Sequence, residues 1–182
     1  MTILHLDASI TGENSASRAI SRSIVDQLKS GNDSDVVYRD LTADPLPHLT
    51  LEAFADTSVL DEFLAADAVV IGAPMYNFTL PTQLKSWIDR ILVAGKTFRY
   101  GENGPEGLAG GKRVIIALAR GGVYGAGSPA ASLEHLETYL RGVFNFIGIE
   151  PEFVAADGLN FGAEQREQSL KQALGETVRL AA

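Results

Sequence analysis

Three short segments of this 182-residue chain concentrate residue types that suit a ligand better than a core. The first is Ala8-Ser9-Ile10-Thr11-Gly12-Glu13-Asn14-Ser15-Ala16-Ser17-Arg18, which carries four hydroxyl side chains and opens onto a helix. A helix N-terminus presents unpaired N–H groups and a partial positive charge, so it suits a phosphate. Ser9, Ser15 and Ser17 can donate to the same anion, and Arg18 can add charge. An ordinary N-cap, with Asn14 or Ser15 satisfying the helix, is the competing reading of this loop. The loop contains neither G-x-G-x-x-G nor a Walker pattern, so it lacks the dinucleotide and ATP fingerprints. The second segment, Pro74-Met75-Tyr76-Asn77-Phe78, gathers three large side chains that are costly to expose unless something flat and apolar covers them. They could equally pack beneath the next helix. The third, Ala119-Arg120-Gly121-Gly122-Val123-Tyr124, has paired glycines that let backbone amides approach a ligand closely. It could also be a plain turn.

The elements that would carry these segments alternate strand and helix from end to end, the pattern of an α/β domain with a parallel sheet. Strands are expected at Thr2–Asp7, Asp35–Asp40, Ala68–Ile71, Arg113–Ala119 and Glu152–Ala156. The first helix should run from Ser17 to Ser30, with Ile20, Ile24 and Leu28 on one face and Gly31-Asn32-Asp33 ending it. Leu51–Leu64 reads as one or two short helices. A helix over Pro81–Ala94 has a core stripe at Leu84, Trp87, Ile88, Ile91 and Leu92, with Pro81 in its first turn. Phe98–Gly111 reads as a glycine-rich excursion. Leu133–Ile147 has a stripe at Leu133, Leu136, Leu140, Val143, Phe144 and Ile147, and Gln165–Leu180 is the terminal helix. Five strands in this order suit a doubly wound sheet of order 2-1-3-4-5. Such sheets bind ligands beyond the carboxyl ends of their strands, where all three unusual segments would lie. An isoalloxazine ring would cover Met75, Tyr76 and Phe78, with Asn77 on its polar edge, and the Gly121-Gly122 amides would stabilise negative charge on a reduced flavin.

Composition narrows the function classes. The net charge is −8, so a nucleic-acid backbone is an unlikely general partner. Cysteine is absent, which removes thiolate catalysis and disulfides and suits a reducing cytoplasm. No apolar run approaches the length of a membrane span, and the N-terminus reads as a strand, not a signal peptide. One domain is expected over residues 1–182. No carboxylate–histidine cluster has metal-ligand spacing. His5, His48 and His135 are isolated, and structural or exposed roles are expected for them.

The strings Ala73-Pro74-Met75-Tyr76-Asn77-Phe78, Thr82-Gln83-Leu84-Lys85, Ala94-Gly95, Thr97-Phe98-Arg99-Tyr100, Glu102-Asn103-Gly104-Pro105-Glu106-Gly107, Arg120-Gly121-Gly122 and Phe144-Asn145-Phe146-Ile147-Gly148-Ile149 resemble the FMN-dependent NADH-azoreductases, relatives of the NAD(P)H quinone reductases, all of flavodoxin-like fold. The resemblance implies one FMN per subunit at a homodimer interface. It also implies ping-pong transfer of hydride from NADH or NADPH through FMN to a quinone or azo compound. Carried over by position, Ser9, Ser15, Ala16 and Ser17 hold the phosphate, and Met75, Tyr76, Asn77 and Phe78 line the flavin. Ala119, Arg120, Gly121 and Gly122 face its pyrimidine side. Tyr100 projects toward the partner's site, and Tyr124 is a candidate hydrogen-bond donor to the acceptor. No side chain is required as a nucleophile. Ala119 stands where family members often have serine, and Ala16 where some have a larger polar residue, so these two positions offer only backbone groups. Substrate preference would lie in Thr50–Thr57 and around Tyr124. The alternatives are a flavodoxin-type electron carrier with no substrate of its own and a cofactor-free interaction protein.

Overall fold

The computed structural model describes residues 1–30 and 33–181. Gly31 and Asn32, expected to end the first helix, lie outside the described residues. Strands β1 (Thr2–Asp7), β2 (Asp35–Asp40), β3 (Ala68–Pro74), β6 (Arg113–Ala119) and β7 (Glu152–Ala156) form one sheet in the order β2-β1-β3-β6-β7. All of its pairings are parallel. This is the 2-1-3-4-5 order expected from the sequence. β4 (Phe98–Gly101) and β5 (Gly104–Gly107) form a separate antiparallel hairpin.

Side chains on the central strands alternate between two cores, as the two-residue period of a strand requires. Leu4, Leu6, Val69, Ile71, Val114, Ile116 and Leu118 face one side. There they meet α3 (Ser58–Ala65), α4 (Thr82–Ile91) and α5 (Glu137–Phe146) through Phe63, Trp87 and Phe144. Ile3, Ala68, Val70, Ile115 and Ala117 face the other side, against α1 (Ala16–Lys29) and α6 (Ala163–Thr177). Leu84, Trp87, Ile88 and Ile91 of α4 are fully buried. Each such side chain contributes roughly 1.5–3 kcal/mol, which holds a ten-residue helix too short to persist alone.

Several boundaries differ from the sequence expectation. β3 extends through Gly72-Ala73-Pro74, because Ala73 and Pro74 still pair with Leu118 and Ala119. Pro81 is the N-cap of α4 and lies just outside its first turn, and the helix ends at Ile91. The Leu51–Leu64 segment is two helices, α2 (Leu51–Ala55) and α3. The terminal helix ends at Thr177 and passes into a 3-10 turn over Val178–Ala181.

The largest difference is at α5, which begins at Glu137 and not at Leu133. The Glu134 carboxylate accepts from the N–H groups of Leu136, Glu137 and Thr138, so it occupies the capping position. Leu133 falls in a preceding 3-10 turn and is 41% exposed, so it does not belong to the core stripe. The glycine-rich excursion is the β4–β5 hairpin. Its strands are four residues long and contain glycine and proline, so no alternating pattern marks them. Thr97 anchors the hairpin by donating to Ile91 O at 2.6 Å. Phe98 packs on Phe146 with ring centroids 4.7 Å apart.

The hairpin also docks backbone to backbone. A Cβ on Gly107 would lie 2.1 Å from Gly148 N and 2.2 Å from Ile147 C, so only glycine permits the contact. Gly107→Ala is expected to lower stability in urea denaturation by about 1–3 kcal/mol, because main chain cannot yield as a side chain can. Gly142→Ala, inside α5 with nothing within 4 Å of the added carbon, should instead raise stability by up to about 1 kcal/mol.

Candidate functional site

The loops after β1, β3, β6 and β7 meet in one cleft of about 390 Å³ at the carboxyl edge of the sheet. Ser9, Ser15, Ala16, Met75, Tyr76, Ala119 and Gly121 line it together, although they come from three separate segments of chain.

The β1 loop supplies the polar end. Ser15 is the N-cap of α1 and accepts from Arg18 N at 3.2 Å, while its Oγ lies 3.1 Å from Ser17 Oγ. The capping reading of Ser15 is therefore correct. It leaves the first-turn N–H groups of Ala16 and Ser17 without intrahelical acceptors. Ser9 is almost wholly buried, with Oγ 3.0 Å from Thr11 Oγ1 and 3.4 Å from the Tyr76 hydroxyl. Tyr76 also accepts from Ile10 N at 3.1 Å, which ties the first loop to the second.

Arg18 supports this loop from behind. Its guanidinium is bidentate to Asp40, at 2.7 and 2.8 Å, and donates to Ser9 O at 2.8 Å. It also reaches the Tyr38 hydroxyl, which in turn donates to buried Asp7. The hydrogen bond from Arg18 holds the Asp40 carboxyl below the ordinary carboxylate range, helped by Thr42 and Ala43 N–H groups. Burial, reinforced by Asp7 and Asp40, pushes the Tyr38 hydroxyl up to about 12. The Arg18 charge is thus committed to Asp40 and holds the loop by its backbone; the cleft does not receive it. His5 is buried beneath the same network, 3.0 Å from Ser21 Oγ, and burial lowers its basicity.

The β3 loop supplies the aromatic wall. Met75 N donates to Ala119 O at 2.9 Å, which fixes the second segment against the third. Tyr76 and Thr79 exchange backbone hydrogen bonds of 2.9 and 3.1 Å around a two-residue turn. The central residues Asn77 and Phe78 have φ of 47° and 73°. Two positive φ values are the signature of a type I′ turn, whose second position favours glycine. A phenylalanine there is strained. The turn is held from outside, where His135 N donates to Phe78 O and Thr79 Oγ1 donates to His135 O. The Phe78 ring is 42% exposed and lies edge-on to Tyr124 at 6.2 Å. Asn77 lines a second cavity of about 620 Å³ that shares Met75 and Tyr76 with the first.

The β6 loop divides its residues. Ala119 and Gly121 reach the cleft. The Arg120 side chain turns away, buried against Asp157 at 2.6 Å, Glu137 at 3.3 Å and Glu134 at 3.7 Å. Arg120 therefore lines a neighbouring cavity and not this cleft. Tyr124 lines a separate cavity with Arg120, Glu137 and Arg141. Gly122 O accepts from Gly158 N, Gly121 O from Asn160 N and Arg120 O from Leu159 N, zipping this loop onto the one after β7. A Cβ on Gly121 would meet Asn160 Nδ2 at 2.4 Å, so any larger residue there would have to displace the Asn160 side chain. Leu159, Asn160 and Arg166 complete the cleft. Sequence reasoning missed them, although a fifth strand next to the fourth implies that its own loop reaches the same edge. Tyr100 lies apart on the hairpin, 76% exposed.

Two consequences are measurable. Because the folded-state pKa of Asp40 is depressed, its contribution is present above the ordinary value near 3.8 and is lost as pH falls through the lower folded value. The stability gap between wild type and Asp40→Asn should therefore be full at about pH 6 and shrink progressively as the pH is lowered past the ordinary carboxylate value in denaturant titrations. At the strained turn, Phe78→Gly should be more stable than Phe78→Ala by about 1 kcal/mol, since both lose the ring and only glycine accepts the positive φ freely. Equal stability of the two variants would mean that the turn carries no strain.

The sequence and the architecture have close counterparts among known proteins. The chain matches the family described as flavodoxin-like fold over residues 1–180. It is 56% identical, over an alignment of 201 residues covering 100% of both chains, to FMN-dependent NADH:quinone oxidoreductase 2 of Bradyrhizobium diazoefficiens. An FMN-dependent NADH:quinone oxidoreductase of Methylorubrum populi is 54% identical, again over 100% of both. Among solved structures, an azoreductase from Bacillus anthracis str. Sterne superimposes with a TM-score of 0.90 at 30% identity, covering 100% of this chain and 98% of that one. An FMN-dependent NADH-azoreductase from Bacillus anthracis str. Ames Ancestor, solved in complex with FMN, gives 0.84 at 26% identity, covering 100% and 99%. With its sheet order, the family match and these relatives in agreement, the chain belongs to the flavodoxin-like fold family.

Proposed function

We propose that this chain is an FMN-dependent NADH:quinone oxidoreductase that also reduces azo compounds to amines. The observation that carries this reading is one cleft with two chemistries. Buried Ser9 and Ser15 and the first helical residue of α1, Ala16, line one end, and Met75 and Tyr76 line the other. That donor set fits FMN: Ser9, Ser15, Ala16 and Ser17 would hold the phosphate, a role for which helix N-termini are suited. Met75, Tyr76, Asn77 and Phe78 would hold the ring system, and Ala119, Gly121 and Gly122, with the Arg120 backbone, would border its polar edge. When bound, FMN supplies the chemistry of accepting hydride from a nicotinamide and returning it to a quinone or azo group. The protein binds, orients and excludes water, and none of its side chains needs to form a bond to substrate.

The strained Asn77-Phe78 turn supports the same reading, since strain kept at a cleft commonly has a functional reason. The β4–β5 hairpin, braced by the Arg99–Glu106 pair and carrying Tyr100 outward, supports a homodimer in which each copy finishes the other's site. Residues 1–182 would then act as one domain per subunit. Among the described residues, no helix is long and apolar enough to cross a membrane. The absence of cysteine is compatible with a cytoplasmic setting. The relatives carry enzyme names, and nothing in these likenesses favours the electron-carrier alternative.

Anaerobic titration of the FMN-loaded protein provides the test. NADH should bleach the flavin absorbance with a stoichiometry of about one per site, and benzoquinone should restore it. NADPH in a parallel titration ranks the donors. If neither nicotinamide bleaches the flavin, the oxidoreductase reading is wrong.

A further inference from the structure

The polar end of the cleft is built in an acidic chain of net charge −8, yet a phosphate monoester brings nearly two negative charges of its own. Two arginines in the segments that form the cleft are already paired. Arg18 is locked to Asp40, and Arg120 to Asp157, Glu134 and Glu137. Arg166, in the first turns of α6, is the one charged residue among those lining the cleft. Among the described residues it forms no ion pair with a carboxylate. One of its terminal nitrogens donates to Asn14 O at 2.6 Å, immediately before the Ser15 cap of α1. A guanidinium has five N–H donors, so this bond leaves most of them unused. A cation near a helix N-terminus is also placed against the helix dipole, so its position is not favourable for α6 itself.

We propose that Arg166 is a binding residue of this cleft and supplies the cationic contact to the phosphate monoester of the flavin. The inference rests on the FMN reading above and adds a residue to it. It gives the start of α6 a role in selecting a phosphorylated ligand, since hydroxyls and N–H groups alone offer hydrogen bonds but no full charge. The contact with Asn14 O places the guanidinium beside the Gly12–Asn14 turn, where the anion would arrive.

The test is equilibrium binding of FMN and of riboflavin, which lacks the phosphate, to the apo-protein by flavin fluorescence. Arg166→Ala should weaken FMN binding about ten- to a hundredfold, the range for loss of one charged hydrogen bond, and leave riboflavin unchanged. Arg166→Lys keeps the charge and should recover much of the affinity. Arg166→Gln can still donate to Asn14 O without charge and should behave like Arg166→Ala. Recovery by Arg166→Gln equal to that by Arg166→Lys would overturn the proposal, because Arg166 would then only tether the turn. Equal weakening of both flavins, or no change in FMN affinity, would overturn it as well. Wild-type protein that bound neither flavin would defeat the FMN reading itself, whereas tight wild-type binding unaffected in every variant defeats only the role of Arg166.

Discussion

The structure depends on a constraint of parallel sheets: every strand ends at the same edge, so every loop that follows a strand is delivered there. What opens a cleft at that edge is the side to which each connection departs. α1 leaves β1 toward the core containing Ile3, Val70 and Ile115. α4 and α5 leave β3 and β6 toward the core containing Leu6, Ile71 and Trp87. Right-handed crossovers enforce this division, because the chain moves outward from β1 to β2 in one direction and from β3 to β6 and β7 in the other. Neighbouring strands β1 and β3 therefore send their loops apart, and the gap between them becomes the site.

The gap is held open by backbone more than by side chains. Met75 N to Ala119 O joins the second loop to the third, and three N–H groups of residues 158–160 close the third onto the fourth. Arg18 grips Ser9 O, and Tyr76 receives Ile10 N. Such contacts preset the cleft before a ligand arrives and reduce the ordering that binding would otherwise require. The same rigidity lets Phe78 persist at positive φ, where the turn by itself favours glycine.

Electrostatics follow the same division of labour. Arg18 and Arg120 look like ligand contacts in a linear reading, yet both are neutralised by carboxylates from distant parts of the chain. Buried guanidinium groups need partners nearby, and Asp40 and Asp157 are the ones that the sheet places next to them. Their structural work shapes the loops. Arg166, which no short motif marks, is left with its charge available to the cleft.

The sequence alone determined what local periodicity and composition can carry. The alternation of strands and helices, the apolar stripe of Leu84, Trp87, Ile88 and Ile91, and the three loops rich in hydroxyl, aromatic and glycine residues were all legible, because each depends on neighbours a few positions away. The short β4–β5 strands escaped for want of any alternating pattern. The start of α5 is not legible in periodicity, because Leu133 keeps the helical spacing while the Glu134 carboxylate caps a helix that begins only at Glu137. Tertiary structure alone decided where each charge goes: that Arg18 meets Asp40, that Arg120 turns toward Asp157, and that Arg166 of the last helix lines the cleft begun by Ser9. These outcomes depend on pairings between residues twenty to more than one hundred and fifty positions apart, such as Arg18 with Asp40 and Arg166 with Asn14. A linear pattern carries no record of such distances until the sheet has brought them together.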